Sequence, residues 1–277
     1  MSAEFWQDIA SEGTDALVTS SGISTREART AFRTMIDTAQ PRQGGRLRIL
    51  RITDGLEPFA PEDPITRTDR ILHHLEAKFI RWWSDKCLAY AAGKGHVEVL
   101  PLSVSGLSSE AVRSLAQTAN VLELPAGNTP NLAKAVQRHV DTLVPLVETQ
   151  NLAVITASAG SIVASSSLEG CAVPPADVLA ESIAELSPLG ILEVPVMVHA
   201  PGRRVPLPAG GMLHHLVSSG FRDYESKPGD QANFIARHPN AVCLNDANSL
   251  LVTRGHGRLV RPQSALMPGI AWPLPQE

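Results

Sequence analysis

One serine stands out for its surroundings. In Leu152-Ala153-Val154-Ile155-Thr156-Ala157-Ser158-Ala159-Gly160-Ser161-Ile162-Val163-Ala164 an apolar run meets a cluster of small residues around Ser158. A run of this kind is what a strand buried on both faces requires. A serine at a sharp strand-to-helix turn is exposed to a reactant only if its neighbours are small, because the folded backbone leaves no space for larger side chains. The following N–H, that of Ala159, would then open a helix where it can meet a developing oxyanion. The same composition also suits an ordinary small-residue turn between a parallel strand and its helix, so the segment alone leaves both readings open.

Three further segments, in a fixed order around this one, narrow the choice. Leu124-Pro125-Ala126-Gly127-Asn128-Thr129-Pro130 ends a strand and opens a helix ahead of the Ser158 strand. Leu189-Gly190-Ile191-Leu192 leads through Val196-Met197-Val198 to His199. Cys243-Leu244-Asn245-Asp246-Ala247-Asn248 precedes the apolar Ser249-Leu250-Leu251-Val252. Together the four resemble the serine peptidase family of peptidase E (aspartyl dipeptidase) and cyanophycinase, over residues 15–260. That family has Gly-Gly-Gly-Asn-Thr at the first position and Gly-x-Ser-Ala-Gly-Ala at the elbow. The chain departs from it at Pro125, Ala126, Thr156 and Val198, and has Asp246 where Glu is usual.

The resemblance implies a flavodoxin-like fold related to class I glutamine amidotransferases, and a Ser-His-acid triad. Ser158 would be the nucleophile, His199 the general base and Asp246 the orienting acid. Gly127 and Ala159 would supply the oxyanion N–H groups, and Asn128 would line the substrate site. A serine hydroxyl needs such a base at neutral pH, and the acid fixes the imidazole tautomer. Arg203 and Arg204 follow the base closely; in a family that favours acidic residues, they are candidates to clamp a substrate carboxylate. A cysteine-dependent glutaminase is excluded, since Ser158 stands where the cysteine would be. The expected activity is hydrolysis of a small peptide or amide through an acyl-enzyme. Acyl transfer to an amine by the same triad, or binding of a peptide-like ligand without turnover, are the alternatives.

These residues must be held by elements, and the pattern supplies them. Strands are expected at 15–20, 47–53, 96–100, 121–124, 152–156, 191–199 and 241–245, with a hairpin pairing 249–253 with 258–260. Helices are expected at 66–92 and 108–119, after Ser24, and after Pro130. The long helix is read as carrying an apolar stripe of Ile71, Leu75, Phe79 and Trp82, and Trp82-Trp83 as one ring in the core and one outside. Strands alternating with helices argue for a mostly parallel sheet with helices on both faces. A single domain over 1–277 is expected, with 1–13 and 262–277 as tails and a long loop at 200–230.

Composition bounds the rest. The 277 residues are 43% hydrophobic and 19% charged, which fits a globular chain with a sizeable core. A net charge of -4 argues against a nucleic-acid partner, and the arginines from Arg26 to Arg51 read as a solvated face. No apolar run reaches the ~20 residues of a membrane span, and the acidic start lacks a secretory pattern. Cys87, Cys171 and Cys243 are far apart, and His214-His215 lacks a carboxylate at ligand spacing, so neither a disulfide framework nor a metal site is expected. The chain is read as cytoplasmic and cofactor-free, with a small peptide or amide as its partner, no membrane and a possible homodimer.

Overall fold

The computed structural model describes residues 5–6, 9–20, 22–23, 25–38, 46–57, 67–92, 96–149, 152–170, 183, 185–200, 228–245 and 247–261. In chain order the strands are β1 (Phe5–Trp6), β2 (Ala16–Thr19), β3 (Arg46–Ile52), β4 (His96–Leu102), β5 (Val121–Leu124), β6 (Ala153–Ala157), β7 (Val196–Met197), β8 (Val242–Cys243), β9 (Ser249–Thr253) and β10 (His256–Val260). The helices are α1 (Arg26–Thr38), α2 (Arg67–Ala92), α3 (Ser109–Ala116), α4 (Thr129–Val136), α5 (Val140–Thr149), α6 (Ala159–Ala164) and α7 (Pro228–Arg237). The main sheet has the order β1-β10-β9-β2-β6-β5-β3-β4. The five strands β2, β6, β5, β3 and β4 run parallel, and β9, β10 and β1 extend the sheet antiparallel from β2. This is the expected flavodoxin-like α/β fold with its C-terminal hairpin.

Both faces of the sheet are dry, and alternation along each strand says why. Val18, Leu50, Ile52, Leu122, Leu124, Val154, Leu250 and Val252 enter one core, against Val112 of α3, Leu132 of α4, Leu143 of α5 and Ile162 of α6. Their neighbours Leu17, Leu47, Ile49, Val121, Ile155 and Leu251 enter the other, against Phe32 of α1 and Leu88 of α2. A strand apolar at consecutive positions is stable only when helices cover both sides.

Several local expectations change. Ile9 is buried, Phe5–Trp6 pairs with β10, and Ala10 bridges Leu192, so the described residues of the 1–13 stretch are packed against the domain rather than forming a tail. The 191–199 run forms strand only at Val196–Met197, paired with β8. Upstream, its N–H groups go elsewhere: Leu189 to Val163 O, Leu192 to Ala164 O and Glu193 to Ile9 O. Thr25 closes the N-terminus of α1, its Oγ1 accepting from the Ala28 N–H at 3.1 Å. On α2 two members of the expected stripe, Ile71 and Trp82, are about half exposed, while Cys87, Leu88 and Ala91 pack in the core beside the sheet. The arginine series is not one solvated face either, since Arg29 and Arg51 are buried.

Candidate active site

β6 ends at Ala157, and the chain turns into α6 through Ser158, whose φ of 46° and ψ of -111° are strained for any side-chain-bearing residue. Neighbouring strands hold this turn. The Thr19 carbonyl, at the end of β2, accepts from the Ser158 N–H at 3.1 Å and from the Ser161 hydroxyl at 2.6 Å. Thr156 Oγ1 lies 2.7 Å from Ser161 Oγ, and Thr19 Oγ1 donates to the Thr156 carbonyl at 2.7 Å. Thr156, a departure from the glycine of the resembling family, thus has a bonded hydroxyl and is fully packed. On the far side Gly160 lets α6 sit on β5: a Cβ there would lie 1.9 Å from the Leu124 carbonyl oxygen.

The turn presents the half-buried Ser158 hydroxyl, which lies 2.8 Å from His199 Nε2. The two residues are 41 apart in sequence, and the segment carrying His199 is pinned by the short β7–β8 pairing. Just past β7, His199 takes a φ of 52°, while the next residue, Ala200, donates to Leu244 O at 3.0 Å and Leu244 donates to Met197 O at 2.8 Å. On its other side His199 meets Ser20. The Ser20 hydroxyl accepts from the His199 main-chain N–H at 2.9 Å and lies 3.2 Å from Nδ1. Sequence reasoning missed Thr19 and Ser20. Their signal is topological: Thr19 is the register partner of Ala157 on a parallel neighbour of β6, so the chain after it must lie beside the elbow.

The candidate oxyanion donors sit in two separate turns. Ala159 opens α6, in the first turn where N–H groups have no intrahelical acceptor. Gly127 has φ 141°, and a Cβ there would lie 2.3 Å from the Gly55 carbonyl oxygen, so this turn needs glycine on both counts. Gly55 O in turn accepts from the Asn128 N–H at 2.8 Å. Asn128, expected to line the substrate site, is engaged as the cap of α4, its Oδ1 accepting from the Asn131 N–H at 2.8 Å. Asp54 fixes the turn containing Gly55: its carboxylate accepts from Ser103 Oγ at 3.0 Å, Val104 N–H at 2.9 Å and Ser105 N–H at 3.1 Å, and from Ser105 Oγ.

Asp246, Arg203, Arg204, His214, His215, Cys171 and most of the 200–230 loop lie outside the described residues. Leu244, two residues before Asp246, is hydrogen-bonded to the residue after His199. Among the described residues no group of three or more His, Cys, Asp or Glu could hold a metal ion, and no helix is long and apolar enough to cross a membrane.

No family model matches the chain, and no curated protein matches it. Solved structures do. One is described as a candidate peptidase E from Listeria monocytogenes EGD-e, at 13% identity and a TM-score of 0.49, covering 90% of this chain and 98% of that one. Another is a peptidase from an acI-B1 Actinobacterium, also at 13% identity and a TM-score of 0.49, covering 89% of this chain and 85% of that one. The fold assignment stands on the strand order and registers above, and in overall shape the chain is similar to these two proteins.

Proposed function

We propose that this chain is a serine hydrolase that cleaves a small peptide or amide through an acyl-enzyme on Ser158. The observation that carries the reading is the strained Ser158 turn with its hydroxyl 2.8 Å from His199 Nε2. A strained backbone kept at a hydroxyl that faces an imidazole is the signature of a held nucleophile rather than of packing.

In the proposed reaction Ser158 Oγ attacks the substrate carbonyl carbon while His199 Nε2 takes the hydroxyl proton. The carbonyl electron pair moves onto oxygen, where the N–H groups of Gly127 and Ala159 donate to it. The C–N bond then breaks, and His199 passes its proton to the leaving amine. Water, deprotonated by His199, attacks the Ser158 ester. The ester C–O bond breaks, and Ser158 recovers its proton from the imidazolium. Asp246 serves as the acid that supports the imidazolium, a role supported by the bond between Ala200 and Leu244 that brings the two chain segments together. Arg203 and Arg204 bind a substrate carboxylate.

Turnover of dipeptides followed by mass spectrometry tests this. Peptides beginning with Asp are expected to be cleaved, and Ser158→Ala is expected to lose several orders of magnitude in kcat. Replacing Arg203 and Arg204 with Ala should raise KM for an acidic peptide much more than for a neutral one. Wild-type turnover unchanged in Ser158→Ala would overturn the mechanism.

A further inference from the structure

Among the described residues, a serine just after the first strand of the parallel sheet faces the far side of the imidazole. We propose that Ser20 is a positioning residue for His199, using one hydroxyl oxygen to hold both its main chain and its ring so that Nε2 stays basic toward Ser158. The inference rests on the hydrolase reading and adds a residue to it.

The geometry is specific. Ser20 is fully buried, at the end of β2, one residue after the Thr19 whose carbonyl anchors Ser158. Its Oγ is 2.9 Å from the His199 nitrogen and 3.2 Å from Nδ1. A hydroxyl oxygen has two lone pairs and one proton. The main-chain N–H takes one lone pair, and the second accepts from Nδ1–H. With the ring proton on Nδ1, Nε2 is bare and accepts from Ser158 Oγ–H at 2.8 Å. The opposite polarity would put the proton on Nε2 and leave the nucleophile facing a donor, which takes no proton. The main-chain bond matters equally. His199, two residues past β7, is in a left-handed conformation with φ 52°, which is unfavourable for a residue with a Cβ and persists only when surroundings enforce it. One oxygen thereby acts on the backbone, the ring angle and the tautomer together. Thr19 and Ser20 together make the end of β2 a common mount for the elbow and its base, which explains how two segments 41 residues apart keep a 2.8 Å contact. The role differs from that of Asp246: a neutral hydroxyl selects a tautomer but adds no charge to stabilise the imidazolium.

The test is the rate at which a fluorophosphonate labels Ser158 across pH 5–9, in wild type, Ser20→Ala and Ser20→Thr, joined to 15N NMR of the His199 ring. Ser20→Ala should label at least about 10-fold more slowly on the pH plateau, in the range that loss of a base's alignment produces. Ser20→Thr, which keeps the hydroxyl, should restore most of the rate. In wild type the neutral ring should carry its proton on Nδ1, and Ser20→Ala should shift population toward the Nε2–H form. Equal labelling rates in wild type and Ser20→Ala, or a wild-type ring protonated on Nε2, would overturn the proposal. Should Ser20→Ala fail to fold, the wild-type tautomer and Ser20→Thr still decide it. Absence of labelling in wild type would strike the hydrolase reading instead, and the tautomer populations would then judge Ser20 alone.

Discussion

Ser158 is held at a backbone conformation that stores strain, and the strain makes the residue's function separable from its contribution to stability. A side-chain-bearing residue at φ 46°, ψ -111° costs on the order of 1–3 kcal/mol, and glycine escapes most of it. Ser158→Ala keeps the strain and loses the hydroxyl, so its stability should stay within about 1 kcal/mol of wild type. Ser158→Gly should be more stable than Ser158→Ala by about 1 kcal/mol, read from urea midpoints, with neither variant active. Equal midpoints would mean that the turn is unstrained. Cys87 offers a pH test at the same scale. Burial pushes its thiol from 9.0 up to about 12, with the nearby Arg29 charge opposing the rise and Glu123 adding to it. Unfolding lets the thiol ionise near 9.0, so above that pH the unfolded chain holds fewer protons than the native one. The stability tied to Cys87 is therefore whole below about pH 9 and declines as pH rises toward about 12. Cys87→Ala should flatten that part of the alkaline fall in urea midpoints; an unchanged slope would contradict the burial argument.

At the scale of elements, α6 is fixed to the sheet by closeness, not by area. A methyl at Gly160 would lie 1.9 Å from backbone of β5, so Gly160→Ala must push the helix away and carry the Ser158 turn with it. A loss of about 1–3 kcal/mol in chemical denaturation is expected, in the range of overpacked interiors, together with lost reactivity at Ser158. Most strands were legible because alternation and apolar runs leave few other options: β5 has the expected bounds, and β3 and β6 are displaced by a single residue. Less legible were elements whose backbone partners are distant. The 191–199 run is apolar enough for a strand, yet its N–H groups bond to the chain near Ile9 and to the end of α6, and Pro195 has none to give. On α2 the large residues were the misleading ones. Its core face holds Cys87, Leu88 and Ala91, while Ile71 and Trp82 are about half exposed. The contact between Ser158 and His199 was legible in residue type, whereas Ser20 was not, being an ordinary serine until the parallel pairing of β2 and β6 sets it beside His199.

Across the whole molecule, the charges that matter are those placed between sheet and helix. On the face covered by α1 and α2, Arg51 donates to Glu123 at 2.8 Å and to Asp85 at 2.8 Å, and Ser84 donates to Glu123 at 2.5 Å. Burial alone would lower the Arg51 pKa, but its ion pairs with Glu123 and Asp85 leave it raised. Arg51→Ala would strand the buried Glu123 carboxylate and should cost about 3–5 kcal/mol. Arg48→Ala breaks the solvent-screened pair with Glu98 on the sheet's β3–β4 edge and should cost far less than Arg51→Ala. Comparable losses in thermal or urea unfolding would show that the Arg51 cluster is solvated. The two dry cores and this cluster together hold the sheet from which Thr19, Ser158 and the β5 turn project at one end, so reactivity should survive changes at the surface and fail with changes at that end. The most direct measurement is the intact mass of the chain after exposure to a fluorophosphonate, with the modified residue mapped by peptide sequencing. A single adduct on Ser158, absent in Ser158→Ala and strongly slowed in His199→Ala, is the result this account predicts; no adduct on the folded wild-type chain, or an adduct on another serine, would contradict it.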